Sequence, residues 1–291
     1  MMAAQNTVMG MANSFSSANK ISYSSPTVAQ NRDFSGTNNQ VDGVDEADLL
    51  KTDGTYIYTI SGKKLSIILA YPATKASVVS TINLGNDLNA AALFVEGNYL
   101  ALFGTDYSSS RPYTYVKIYN VRNRAQPYLE RTFKMEGSYT NGRKTSNGYV
   151  YLVANQYFYN RMTPWFDFGV GQAKIPWNNI FYYPGKYNSP QLTNILSFNL
   201  GSPTSTDRKV VSICGETSSI MYMSEKSIYL TSSTYTNGQE WTKIKKIFVN
   251  RRHIIPFADG QVRGTINNQF SLDEYGPYFR IATTSNGVKG T

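Results

Sequence analysis

From about residue 50 onward the chain is written in short runs whose apolar and polar positions alternate. Thr55-Tyr56-Ile57-Tyr58-Thr59-Ile60 opens the series, and Leu65–Leu69 and Ser77–Ile82 follow it. A period of two is that of a strand with one face in a core. Asp53-Gly54 before the first run and Gly62-Lys63-Lys64 after it supply turn chemistry, and Asp-Gly beside alternating runs is a strong short-range hairpin signal. Ala47–Lys51, just upstream, reads as a short first strand or a turn of helix.

The same arrangement returns four times. Ala91–Val95 leads through Glu96-Gly97 into Asn98–Phe103, Tyr115–Tyr119 and Leu129–Phe133. A third copy turns at Asn147-Gly148 into Tyr149–Val153 and resumes at Ile195–Phe198 and Lys209–Ile213. A fourth has Ile220–Met223, the turn Glu225-Lys226, Ser227–Leu230 and Lys243–Val249, and a fifth turns at Tyr275-Gly276 into Pro277–Ala282. The residues after the five turns are Thr55, Asn98, Tyr149, Ser227 and Pro277. With an aromatic insertion at 156–190 set aside, the unit recurs roughly every 45–50 residues, the range of propeller blades.

Each unit is a four-stranded antiparallel meander. One such sheet cannot bury both of its faces, but sheets stacked face to face around an axis can. The expected fold is therefore all-β: a β-propeller of four-stranded antiparallel blades, with about four to five blades in this chain, covering 39–291. A β-sandwich with accidental spacing is the alternative. Residues 1–38, rich in Ser, Asn and Ala without sustained periodicity, are expected to be a flexible polar leader.

Composition changes this picture little. The 291 residues include 23 Tyr and 14 Phe, only 16% are charged, and Tyr and Thr favour strands. The net charge of +9 comes from scattered Lys and Arg, which reads as a solubility charge; nucleic acid is not an expected partner. A single Cys (Cys214) excludes an intramolecular disulfide, and with a single His (His253) it excludes the usual Cys/His zinc sites. No apolar run approaches the ~20 residues of a transmembrane helix, and the N-terminus lacks the basic start and apolar core of a secretory signal.

The segment Gln40-Val41-Asp42-Gly43-Val44-Asp45-Glu46-Ala47-Asp48, followed by Lys51-Thr52-Asp53-Gly54-Thr55-Tyr56-Ile57-Tyr58, resembles the opening signature of the secreted "beta propeller domain" family, distantly related to WD40 repeats. Gly264–Tyr275, with Arg280–Thr284, resembles that family's other recognisable stretch. The resemblance implies an exported or cell-surface propeller with no catalytic residues to transfer. It also implies further blades, so that residues 1–291 are expected to be the N-terminal part of a longer propeller.

Three stretches are candidate sites. Asp42, Asp45, Glu46, Asp48 and Asp53 could form a calcium loop, since calcium takes six to eight oxygens from flexible carboxylate-rich segments. They could equally be turn-making carboxylates that bond amides, Lys and Arg. Within the insertion, Trp165, Phe166, Trp177, Phe181, Tyr182 and Tyr183 either bind a protein or stack on sugar rings, or cap their own blade. Lys243, Lys245 and Lys246, then Arg251, Arg252 and His253, read as a solvated edge strand protected by Lys.

No nucleophile elbow or phosphate-binding loop is present. The expected role is therefore a non-catalytic module that binds a protein or glycan at the cell surface. The alternatives are a carbohydrate-active enzyme with paired carboxylates and a purely structural surface protein.

Overall fold

The computed structural model describes residues 39–285 apart from 87, 159–162, 185, 186 and 188. The expected leader, and Tyr159 of the insertion, lie outside the described residues. The rest is all-β. A short β1 (Val44–Glu46) precedes a first sheet of β2 (Leu50–Thr52), β3 (Tyr56–Ser61), β4 (Lys64–Leu69) and β5 (Ser77–Asn83). The second sheet is built on β6 (Asn89–Glu96), β7 (Tyr99–Asp106), β8 (Tyr113–Asn120) and β9 (Tyr128–Glu136). The third begins with β10 (Ser138–Thr145) and β11 (Tyr149–Tyr157). After β12 (Trp165–Asp167), β13 (Gln172–Lys174) and β14 (Ile180–Tyr182), it is completed by β15 (Gln191–Asn199) and β16 (Lys209–Gly215).

The fourth sheet is β17 (Ile220–Met223), β18 (Ser227–Thr236), β19 (Gln239–Asn250) and β20 (His253–Arg263). A two-stranded sheet, β21 (Leu272–Tyr275) with β22 (Tyr278–Ile281), follows. All pairings within these meanders are antiparallel, and the chain is an incomplete propeller.

Strand alternation feeds two interfaces at once. On β7, Leu100 and Leu102 meet Tyr58, Leu65 and Ile67 of the first sheet, while Ala101 and Phe103 face Leu152 and Phe198 of the third. On β11, Val150 and Leu152 face the second sheet while Tyr151 and Val153 meet Ile228 and Ile247 of the fourth. On β17 and β18, Met221 and Ile228 face the third sheet, while Tyr222 and Tyr229 meet Leu272 and Phe279 of the fifth. Each sheet thus buries the other's apolar side chains, at about 25 cal/mol per Å² of apolar surface removed from water. The sandwich alternative fails because the buried side chains form four successive inter-sheet clusters instead of one shared layer.

Three expectations are corrected. The strand that opens the first sheet is Leu50–Thr52 rather than Ala47–Lys51, because Lys51 pairs with Tyr58 across the Asp-Gly turn. β10 has no counterpart in the sequence reading: Ser138–Thr145 is polar, and it lies between β11 and β1, which covers its outer edge. β19, which carries Lys243 and Lys245, is an interior strand, because β20 pairs along it and forms the edge. A register shift at Lys246/Ile247 places Pro256 opposite Ile247, where the missing N–H is accommodated by the bulge.

The two stretches that carry the family resemblance meet in space. Gln40 Nε2 donates to the carbonyls of Gln269 (2.9 Å) and Leu272 (3.0 Å). Gln269 Nε2 donates to both oxygens of Glu46, and Arg143 donates to Gln269 Oε1 at 2.7 Å. The opening strand is thereby tied to the first strand of the third sheet and to the segment entering the fifth. That explains why both stretches hold such specific polar residues.

Candidate binding cleft

The five carboxylates of the opening segment do not converge on one point. Asp45 accepts from Lys51 at 2.6 Å, and Glu46 is held by Gln269 and lies 3.7 Å from Arg143. Asp48 accepts from the Leu49 amide at 2.6 Å. Asp53 caps the turn, accepting from the Thr55 and Tyr56 amides, the Tyr58 hydroxyl and Arg124. Burial pushes the Asp53 carboxyl up, but those bonds outweigh it and leave the group below the ordinary carboxylate range. Its contribution to stability is therefore present at neutral pH and is lost as the pH falls below the ordinary carboxylate range and through the lowered value of the folded group. Among the described residues no three His, Cys, Asp or Glu side chains gather as a metal site. Asp45, Glu46, Asp48 and Asp53 thus each make turn or ion-pair contacts, and Asp42 takes no part in them.

The aromatic insertion divides in two. Its first half extends the second sheet: β12 pairs with β9, and β13 with β12. Phe166 packs against the core, Phe168 and Ile175 are buried in it, and Trp165 tilts against Tyr113 at 4.7 Å. The second half lays β14 parallel to β16, with Phe181 against the core and Tyr183 buried. The Tyr183 hydroxyl donates to the Lys246 carbonyl at 3.0 Å, and burial pushes its pKa up to about 12. Trp177 and Tyr182 stay outside, 74% and 73% exposed.

Between this second half and the fourth sheet lies a cleft of about 600 Å³, within the usual range of small-molecule sites. Its floor is the upper part of a sheet face whose lower part is core. Along β19, Val249 and Ile247 pack on the third sheet; two residues further at each step, the same face presents Lys245, Lys243 and Trp241. The register sets Thr234 opposite Trp241 on β18, and Asp259 and Gln261 opposite Lys245 and Lys243 on β20. Tyr183 and Tyr187 form the opposing wall, with the Tyr187 hydroxyl donating to the Tyr183 carbonyl.

The long β18–β19 hairpin that raises one wall turns at Asn237-Gly238, where both residues have positive φ (53° and 74°). That is the type I′ turn for which Asn-Gly is suited. This dipeptide, flanked by Tyr235-Thr236 and Gln239-Glu240-Trp241, was the one sequence signal that could have located the cleft.

The electrostatics are paired at the rim and uneven below. Lys243 Nζ lies 3.0 Å from Glu216 Oε1 and over the Tyr187 ring at 5.5 Å. Lys245 is only 6% exposed and donates to the Glu216 carbonyl at 3.2 Å. Burial lowers its pKa, with neighbouring Glu216 working against that. Cys214, partly buried nearby, has its thiol pKa raised by burial.

A second, smaller hollow of about 260 Å³ lies on the other side of the insertion, between Arg111, Glu136 and Gln156. Glu136 is 2% exposed and accepts from Arg111 (3.2 Å), Gln156 Nε2 (3.2 Å) and the Trp165 amide (3.0 Å). These bonds fasten the start of β12 to the second sheet.

Among the described residues no helix is long and apolar enough to cross a membrane. An uncharacterized protein of Methanocaldococcus jannaschii is 29% identical over 216 residues, which cover 71% of this chain and 30% of the relative. The matched part of the chain thus corresponds to less than a third of that protein's length. The family model for the beta propeller domain matches residues 34–291, which take in the whole of the repeat region laid out above. The chain belongs to the beta propeller domain family.

Proposed function

We propose that this chain is a non-catalytic binding module, working outside the cell or at its surface, whose cleft takes a glycan. The observation that carries the reading is the composition of the cleft walls. Trp241 and two Tyr offer flat apolar rings, and Thr234, Gln239 and Gln261 surround them with hydroxyl and amide groups. A pyranose has the complementary character, with an apolar ring face and an edge of hydroxyl donors and acceptors. The floor of the site is a strand face of a rigid sheet, which holds its side chains more precisely than a loop would.

The test is a glycan titration of the wild type, Trp241→Ala and Trp177→Ala. Loss of a central aromatic anchor costs about 2 kcal/mol, or roughly thirtyfold in affinity. Trp241→Ala is expected to lose that much and Trp177→Ala to bind as the wild type does. Binding that depends on Trp177 and ignores Trp241 would move the site to the exposed tip of the insertion.

A further inference from the structure

We propose that the glycan taken by the cleft carries a carboxylate, as a uronic acid does, and that the Lys245 ammonium receives it. This rests on the glycan reading above and adds the charge of the ligand. The argument begins with how Lys245 is housed. A buried ammonium is costly to desolvate, so it is held only where something balances it. Among the described residues its hydrogen-bond partner is the Glu216 carbonyl, whereas an ammonium has three protons to donate.

Glu216 and Asp259 lie close enough to favour its charged form, but among the described residues neither carboxylate reaches it as an ion pair. Glu216 Oε1 pairs with Lys243, and Asp259, opposite Lys245 in the register, makes no ion pair with it. The place itself is built for the ammonium. Gly215 has no side chain, and a Cβ there would overlap Lys245 Nζ and stand 2.8 Å from its Cε. Glycine at 215 therefore leaves room for the Lys245 head group beside the Tyr187 ring. One cation with unspent donors, below aromatic rings and amides, matches one carboxylate on a sugar. A phosphate, with a charge of about −1.5 to −2, would exceed what a single lysine neutralises.

The experiment is calorimetric titration of the whole chain with a panel of uronic-acid trisaccharides and their methyl esters. The esters keep the sugar and remove the charge. A charge-assisted hydrogen bond should favour the acid over its ester by roughly tenfold or more. Lys245→Met should abolish the preference, so that acid and ester bind alike. Gly215→Ala should do the same by displacing the ammonium. Thermal melting separates recognition from unfolding: the acid–ester comparison is made for each variant well below its own melting temperature. Equal binding of acid and ester by the wild type, or a preference that survives Lys245→Met, would overturn the carboxylate inference and leave the glycan reading standing. Absence of Trp241-dependent binding across both halves of the panel would overturn both.

Discussion

Replacing Phe133 with alanine should lower the unfolding free energy by about 3–5 kcal/mol, the usual cost of truncating a fully buried phenylalanine. The ring is inaccessible to solvent and sits where three parts of the chain meet. It comes from β9 of the second sheet and meets Phe198 of the third edge-to-face at 5.3 Å. Phe168 of the insertion meets it, also edge-to-face, at 5.3 Å, and the Arg208 guanidinium lies 5.5 Å from the ring centre. Few sites offer so little room for collapse, since the neighbours are rigid rings on separate sheets. Urea denaturation would show the loss as a lower midpoint with an unchanged slope. Phe133→Leu, which keeps most of the volume, should cost under about 1.5 kcal/mol. Equal effects of Leu and Ala would mean that this inter-sheet junction is not packed as described.

Glu136→Ala should be comparably damaging, at about 3–5 kcal/mol, for a different reason. This carboxylate is buried, and its removal strands the Trp165 amide and the Gln156 side chain without this acceptor and breaks the ion pair with Arg111. Its second expected consequence is local. The Trp165 amide begins β12, so the first half of the insertion should detach from the second sheet before the rest unfolds. Limited proteolysis should therefore cut within 163–175 faster in Glu136→Ala than in Glu136→Gln, which keeps an acceptor oxygen. Equal rates would separate Glu136 from the docking of the insertion.

The sequence foretold the fold to the extent that strands alternate. β7, β11 and β18 are apolar on successive positions because each feeds two interfaces, β3 alternates because it feeds one, and the tight turns before them were plain. The strands that escaped notice lack that signature. Ser138–Thr145 is polar because it borders β1 and the converging side chains of Glu46, Arg143 and Gln269. His253–Arg263 is an edge strand with mostly exposed side chains and a proline at its bulge.

The candidate site was legible only in pieces. Lys243 and Lys245 were noticed as strand residues of one face, and Tyr183 as one of many insertion aromatics. Nothing local in the sequence states that β14 runs beside β16 and brings Tyr183 and Tyr187 across from Trp241. Trp165 and Phe166, two of the six insertion aromatics read as a candidate binding surface, pack against Tyr113 and the core beside the second sheet.

The three tryptophans provide the most direct measurement. Trp165 is packed on Tyr113, Trp177 is exposed at the tip of the insertion, and Trp241 forms the floor of the cleft. Each has one indole N–H, assignable in a nitrogen–proton correlation spectrum by replacing the tryptophans one at a time. On adding a uronic-acid trisaccharide that the chain binds, the Trp241 signal should shift with saturation while those of Trp165 and Trp177 stay in place. A titration in which Trp177 shifts and Trp241 does not would contradict the assignment of ligand binding to this cleft.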